Sequence, residues 1–452
     1  MGEIILAFVA CVSALGFTLF GMRLSKNKSV FSPISWFCLN LAMYDVGQAL
    51  LFIVTGGEMK METLVVNSNT TALLLGALLI LVGSGGWVIG YVIGYAKKQV
   101  GRDRPRIRYR KFVVRRWVIA MMILSWIGII IFARVAEVDF SDLSAISKKR
   151  VIMSDDGSGS FAALGYLRQL ASLGALAFTM YLAVCLTERK TKRGDLVLLA
   201  MLFGTAVAFP VIASARGMIV GTIIVSLALY DSLRGGVKPL RLALWGAGLV
   251  FMLDALKTLR LDDTVAVDSA SRVLGPLTSV FGYEGGQSVF NTGVIAEFFG
   301  GVPFWLGKTF IALFTAPIPR SLWPDKPAVS PDEYIATSIY GYNDTSWHTV
   351  PAGFVAELYM NFGPVGVFLG MLVAGLLIGQ AYKRYLATGG NDPLLALMYC
   401  YCVLRFSLKL MGSNFSAATV DALLAIVPIV LVFYFARPRS NPGMKMVGGM
   451  AK

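Results

Sequence analysis

His348 is the only histidine of the chain, and the only side chain present whose ordinary pKa suits proton transfer near neutrality. It stands just before Pro351, with Glu357 nine residues further on. A lone histidine is more often a hydrogen-bonded loop residue than a catalyst, so both readings stay open. Two arginines occupy conspicuous places. Arg168 lies inside an apolar run, where an ionisable side chain at membrane depth marks a functional site unless it snorkels outward from the first turns of a helix. Arg216 sits in the minimal link Ala213-Ser214-Ala215-Arg216-Gly217 between two apolar runs. Its guanidinium and the N–H groups that open the next helix could address one anion together; the alternative is a helix-end arginine with a structural partner. Arg260, Arg272, Arg320 and Lys326 are set among nine carboxylates between Asp262 and Asp344, Glu284 among them. Pairs of that kind on a loop are mostly solvated and weak.

Other chemistries fail on inventory. The sequence contains no Gly-x-Ser-x-Gly elbow, no Walker loop and no Gly-x-Gly-x-x-Gly after a strand. Gly83, Gly85, Gly86 and Gly90 fall in an apolar run and read as helix packing. Asp155-Asp156 and Asp262-Asp263 are adjacent pairs without metal-ligand spacing or a histidine partner. Cys11, Cys38, Cys185, Cys400 and Cys402 all lie in apolar runs, where cysteine behaves as a small hydrophobe. No metal, cofactor or nucleotide is expected.

The elements that must position these residues follow from composition. Of 452 residues, 56% are hydrophobic and only 15% charged, with a mean hydropathy of +0.69; a soluble domain carries about a quarter charged residues. Apolar runs recur from residue 4 to residue 436 with no long polar block between them. The chain therefore reads as one all-α polytopic membrane bundle. A spanning helix needs about 20 mostly apolar residues, which predicts eleven spans: 4–22, 32–54, 71–95, 117–135, 161–186, 196–213, 217–232, 240–256, 351–381, 393–411 and 417–436. The eighth is the shortest. The first begins after Glu3 without a basic segment and reads as a retained helix.

The net charge of +15 could mean nucleic acid, so the placement of the basic residues decides. They occupy short loops: Arg23 to Lys28, a cluster from Lys97 to Arg116, 189–193, 234–241, Lys383 with Arg384, and the tail from Arg437. These hold 26 of the 41 lysines and arginines, and eleven alternating spans put all of them on one side. The positive-inside rule makes that side cytoplasmic, against anionic headgroups. No stacking aromatics interleave them, so no nucleic-acid partner is expected.

The chain then divides into spans 1–8 over 1–256, an external loop over 257–350, spans 9–11 over 351–436 and a basic tail over 437–452. A loop of that length is functional far more often than idle. Its middle piece, Gly301 to Pro317, is too short and interrupted to span. It reads as a helix lying in the interface or re-entering the membrane.

At 316–327 the sequence Ala-Pro-Ile-Pro-Arg-Ser-Leu-Trp-Pro-Asp-Lys-Pro, then Trp347-His348-Thr349, then Phe354-Val-Ala-Glu-Leu-Tyr-Met-Asn-Phe-Gly363 resembles the Wzy-type oligosaccharide repeat unit polymerases of O-antigen lipopolysaccharide and enterobacterial common antigen. The Ser-Ala-Arg-Gly link at 214–217 is similar to an Arg-Gly hairpin of that family, and Ser147 to Arg150 looks like its first-loop Lys-Arg element. The resemblance is to architecture over the whole chain and reaches motif level only over about 60 residues. The sequence departs from the Arg-x10-Gly motifs of some members: eleven residues after Arg272 stands Tyr283, with Gly282 one place early.

The resemblance implies an inner-membrane glycosyltransferase with its site facing the periplasm. It would transfer a growing glycan from undecaprenyl pyrophosphate to a hydroxyl of an acceptor repeat, without metal or nucleotide. Because pyrophosphate already leaves well, the protein has to align two lipid substrates and stabilise developing phosphate charge. On that reading Arg168, Arg216, Arg260, Arg272 and Arg320 hold pyrophosphate. Glu284, Trp323, Lys326 and Tyr359 meet glycan. Glu357, His348 and Arg216 form the catalytic set, with Glu357 either a base or paired to an arginine. Membrane lipid, a chain-length regulator and a flippase are the implied partners. An O-antigen ligase-like glycosyltransferase shares the donor and differs in acceptor. A non-enzymatic flippase or transporter is the remaining alternative, although it would be expected to show related halves.

Overall fold

The computed structural model describes residues 2–25, 29–54, 59–60, 65–66, 70–95, 109–135, 160–188, 191–213, 216–235, 237, 288–315, 318, 322–323, 331–341, 350–387 and 392–437. Among these the regular elements are helices apart from a two-residue antiparallel ladder, Met59–Lys60 with Val65–Val66. Ten helices are long and apolar enough to cross a membrane. They are α1 Gly2–Leu24, α2 Pro33–Val54, α3 Thr70–Tyr95, α4 Lys111–Val135, α5 Ser160–Thr187, α6 Arg193–Ile212 and α7 Arg216–Arg234, followed after α8–α10 by α11 Phe354–Leu386, α12 Pro393–Gly412 and α13 Phe415–Ala436. Between the two sets lie three short helices: α8 Val289–Gly300, α9 Lys308–Thr315 and α10 Pro331–Tyr334, the last continued by a π-helical turn Ile335–Ile339. The expected span 240–256 lies outside the described residues. Each other expected span coincides with one of the ten helices.

Local sequence sets the helix starts. Ser32, Asp392 and Asn414 each accept a backbone N–H from the turn they open, from Ser35, Leu394 and Ala417. Pro33 and Pro393 follow as first helical residues, where the missing N–H costs nothing. Two helices carry internal π-helical turns, Leu41–Val46 in α2 and Cys400–Arg405 in α12; such bulges often attend functional sites.

The helices pack through small residues. A Cβ on Gly90 would stand 2.0 Å from the Leu372 carbonyl oxygen, and one on Gly375 2.1 Å from that of Trp87. Only glycine lets α3 and α11 approach so closely, the device membrane helices use where lipid removes the hydrophobic drive for association. Gly83 and Gly86 join this seam, whereas Gly85 turns away with no neighbour at its Cβ position.

Contacts fix the directions. Gly86, Gly90 and Gly94 meet Phe368, Leu372 and Leu376 in order, so α3 and α11 run parallel. Glu3 with Thr70 and Gly21 beside Val88 make α1 parallel to α3 as well. Lys111 pairs with Glu188 while Ser125 bonds the Ala171 carbonyl, so α4 and α5 are antiparallel. Tyr181 with Asp195 makes α5 and α6 antiparallel, and Arg110 with Ala436 does the same for α4 and α13.

One end of the bundle consequently gathers Ser29, Tyr109, Lys111, Glu188, Asp195, Asp231, Arg234 and Asp392. They are tied by Lys111 to Glu188 and Asp195 at 2.6 Å, Tyr109 to Asp392 at 3.1 Å and Arg234 to the Leu186 carbonyl at 2.7 Å. Burial, with the neighbouring Asp392 carboxylate, holds the Tyr109 phenol above its ordinary range. This is the basic end. The opposite end holds Glu3, Thr70, the start of α7, Glu357 and the α12–α13 link.

Among the described residues of 301–315 the one helix, eight residues long, is too short to span. After Gly301 the chain turns through Trp305, whose N–H bonds the Met360 carbonyl, into α9. Helix α9 packs on α11 and α13 and leaves Ile311 and Phe314 63% and 78% exposed. Helix α8 instead enters the bundle: Gly293 lies against Ala72 and Val289 against Gly76, antiparallel to α3, and the Phe290 N–H bonds Gln48 Oε1 at 3.0 Å.

Candidate functional site

Helices α11 and α13 meet at the opposite end, where Glu357 is fully buried. Its Oε2 accepts the Phe415 N–H at 2.7 Å, so a carboxylate caps the first turn of α13, where orphan N–H groups and the helix dipole favour negative charge. Oε1 has no partner among the described residues, and no arginine pairs with Glu357 there. Asn361, one turn on and also buried, donates to Thr309 Oγ1 at 2.9 Å and accepts the Gly307 N–H at 3.0 Å. Ser416 adds a bond to the Thr309 carbonyl at 2.9 Å, and Asn414 reaches both Asp332 oxygens at 3.3 Å. These bonds lash α9 and α10 to the starts of α11 and α13. Gly363 at φ 66°, followed by Pro364, then breaks α11, a conformation glycine takes without strain.

Deeper in the bundle lies a second polar group. Asp421, from the second turn of α13, accepts Arg405 Nε at 3.1 Å on one oxygen and Lys409 Nζ at 3.1 Å on the other. Arg405 closes the π-helical turn of α12 and sits over the Tyr401 ring at 5.4 Å; the Tyr401 hydroxyl in turn meets Thr179 of α5 at 2.8 Å. Arg405 and Lys409 stand four apart, one above the other on a helix face. With both charged and Asp421 ionised, the trio carries one net positive charge among apolar helices.

Two cavities border it. The first, of roughly 390 Å³, lies among α5, α6, α7, α12 and α13 beside Leu173, Ala206, Phe209, Thr222 and Leu424. The second, of roughly 530 Å³, lies among α2, α7 and α12 beside Trp36, Asn40, Tyr44, Gly217 and Lys409. Arg405 and Met218 line both. Fixed cations, a helix start and largely apolar walls suit an anionic group carried on an apolar chain. Among the described residues no three His, Cys, Asp or Glu are grouped to hold a metal.

The residues expected from sequence are distributed unevenly around this arrangement. Arg216 opens α7, one residue from the second cavity. Arg168 is half-buried on α5 with its guanidinium 6.0 Å from the Phe132 ring, next to Gln169 at the first cavity. Glu357 and Tyr359 are neighbours on α11, but Tyr359 packs edge-on against Phe304 at 5.7 Å. Trp323 is 39% exposed. Arg260, Arg272, Glu284, Arg320, Lys326 and His348 lie outside the described residues. Sequence reasoning missed Arg405, Lys409 and Asp421, although the signal was present. All three fall within runs read as spans, and ionisable residues at membrane depth are candidates by default.

No protein-family model, no curated protein and no solved structure matches the chain.

Proposed function

We propose that the protein is a multi-pass inner-membrane glycosyltransferase that polymerises undecaprenyl-pyrophosphate-linked oligosaccharide repeats at the periplasmic face. The observation that carries this reading is the Arg405–Lys409–Asp421 trio, with net positive charge, on the walls of two cavities beside the start of α7. A lipid pyrophosphate supplies what that trio lacks: an anion to neutralise it and an apolar tail for the cavity walls. Bidentate guanidinium contacts would steady the donor pyrophosphate and the charge it gains as the glycosidic bond breaks. Arg168, Arg216 and the loop arginines Arg260, Arg272 and Arg320 would extend the same cationic surface. Glu284, Trp323, Lys326 and Tyr359 would meet glycan. An acceptor hydroxyl would give its proton to Glu357, His348, water or the departing pyrophosphate.

The sidedness belongs to the same proposal. Helix α7 ends at the basic end and α11 begins at the opposite one. A crossing at 240–256 restores eleven spans, makes the basic end cytoplasmic and puts the trio in the periplasmic half. The test is gene deletion followed by inspection of the surface polysaccharide. Loss of the long-chain ladder with retention of a single-repeat product supports a polymerase. An intact ladder sinks the reading, and loss of every glycan, single repeats included, favours a ligase-like enzyme or a flippase.

A further inference from the structure

Asp45 takes no part in the chemistry proposed above. It stands near the middle of the 22-residue span α2, in the π-helical turn Leu41–Val46. Its side chain is fully buried, and neither carboxyl oxygen has a hydrogen-bond partner among the described residues. Asp195, Asp392 and Asp421 all have such partners, in Tyr181, Tyr109 and Arg405. Helix α1 packs on the turn and sets Cys11 beside the Asp45 carboxyl, with Ala7 and Ala14 buried about one helical turn to either side. Cys11 is the titratable group that α1 presents there. On α2 itself Tyr44 precedes Asp45 and lines the second cavity; from α12, Arg405 and Lys409 line the same cavity, both engaged by Asp421.

We infer that Asp45 is a proton-binding site in the middle of the bundle, packed against α1 as the neutral carboxylic acid. An ionised carboxylate without donors or a counter-ion is too costly to hold in an apolar interior. A metal cation needs several oxygen ligands, whereas α1 meets the carboxyl with a thiol and methyl groups. A proton needs no ligand but the carboxyl itself. Within the π-helical turn Met43 and Tyr44 face the second cavity while Asp45 faces α1. A carboxylate that lost its proton would therefore find the Arg405 and Lys409 cations across that cavity, and the turn would have to move for it to reach them. The inference goes beyond the polymerase reading and does not rest on it, since it involves neither substrate nor product.

The test compares thermal midpoints of the purified full chain and of Asp45→Asn in detergent across a pH series. Asparagine keeps the shape and the neutrality of the acid, so the variant should fold and be at least as stable near neutrality. The unfolded chain gives up the Asp45 proton near the ordinary aspartate value of about 4, while the folded chain keeps it. The midpoint of the unmodified chain should therefore fall relative to that of Asp45→Asn as pH rises above that value. A variant that fails to accumulate, or that is less stable near neutrality, overturns the inference, because an ionised carboxylate with a partner would then be what the fold requires. A difference between the two proteins that does not change with pH overturns it as well. Dicyclohexylcarbodiimide, an apolar reagent that couples to protonated carboxyl groups, gives a second readout. Peptide mass spectrometry should find Asp45 modified at neutral pH and less so in alkali. Asp45 left unmodified at every pH overturns the inference, and protection by sodium chloride at constant pH does too, since it would put a metal cation in the place of the proton.

Discussion

The Glu357 carboxylate and the Phe415 backbone N–H are joined at 2.7 Å, so the first turn of α11 holds the first turn of α13 with a side chain that is fully buried. The same carboxylate stands first among the acid-base candidates of the sequence. A capping acceptor and a proton acceptor make different demands on the side chain, and substitution separates them.

Glu357→Gln keeps an oxygen for the Phe415 N–H and should fold with a thermal midpoint in detergent close to that of the unmodified chain. Glu357→Ala leaves a buried donor unsatisfied and should cost about 1–3 kcal/mol. If the Gln variant is stable and still makes long polymer, Glu357 is a cap and the acceptor proton goes elsewhere. If it is stable and makes none, charge or proton transfer at this carboxylate is required.

Asp421 is the common partner of Arg405 and Lys409 at 3.1 Å each. Asp421→Ala strands two cations inside the bundle and should destabilise by about 3 kcal/mol or more, whereas Arg405→Ala leaves the Lys409 pair and should cost less. Comparing thermal midpoints of the two variants checks that order; equal losses would mean that Lys409 contributes little.

Arginine geometry should matter at two places. Arg405→Lys and Arg216→Lys keep the charge but lose the planar fork, so each should leave protein abundance unchanged and shorten the polysaccharide ladder nearly as much as the alanine variants. A lysine variant with a full ladder would show that a point charge suffices at that position.

The α3–α11 seam tolerates no side chain. Gly375→Val would press a methyl group into the Trp87 carbonyl, 2.1 Å from the Cβ position, and the helices would have to part. Immunoblots of membranes should show the protein lost, while Gly85→Val, with an open Cβ position, should accumulate normally.

Reporter fusions read the sidedness. A fusion after Lys192, at the basic end beside Asp195, should report cytoplasm, and one near Asp344 should report the exterior. The opposite result at either position would remove the crossing at 240–256.

Much of the architecture was legible in the chain because a bilayer leaves the backbone few choices. With no water to satisfy peptide groups, an apolar run of sufficient length must be a helix, and ten expected spans have their helices at matching positions. Glycines in the run around Gly83 to Gly90 foretold a close seam, since small residues are what membrane helices pack through. Helix starts at Ser32-Pro33 and Asp392-Pro393 were equally local. Three facts were not local. The partner of Glu357 is the backbone of Phe415, 58 positions away, and no pattern in sequence announces a backbone donor. Which face of the α3 run meets α11 depends on register, so Gly86 and Gly85 part company though adjacent. Arg405, Lys409 and Asp421 read as three scattered charges in two runs until the antiparallel hairpin of α12 and α13 brings them within 3.1 Å. Sequence fixes where a charge enters the apolar layer; only tertiary packing decides which opposite charge and which cavity it finds there, because burial makes each solitary ion too costly to leave unpaired.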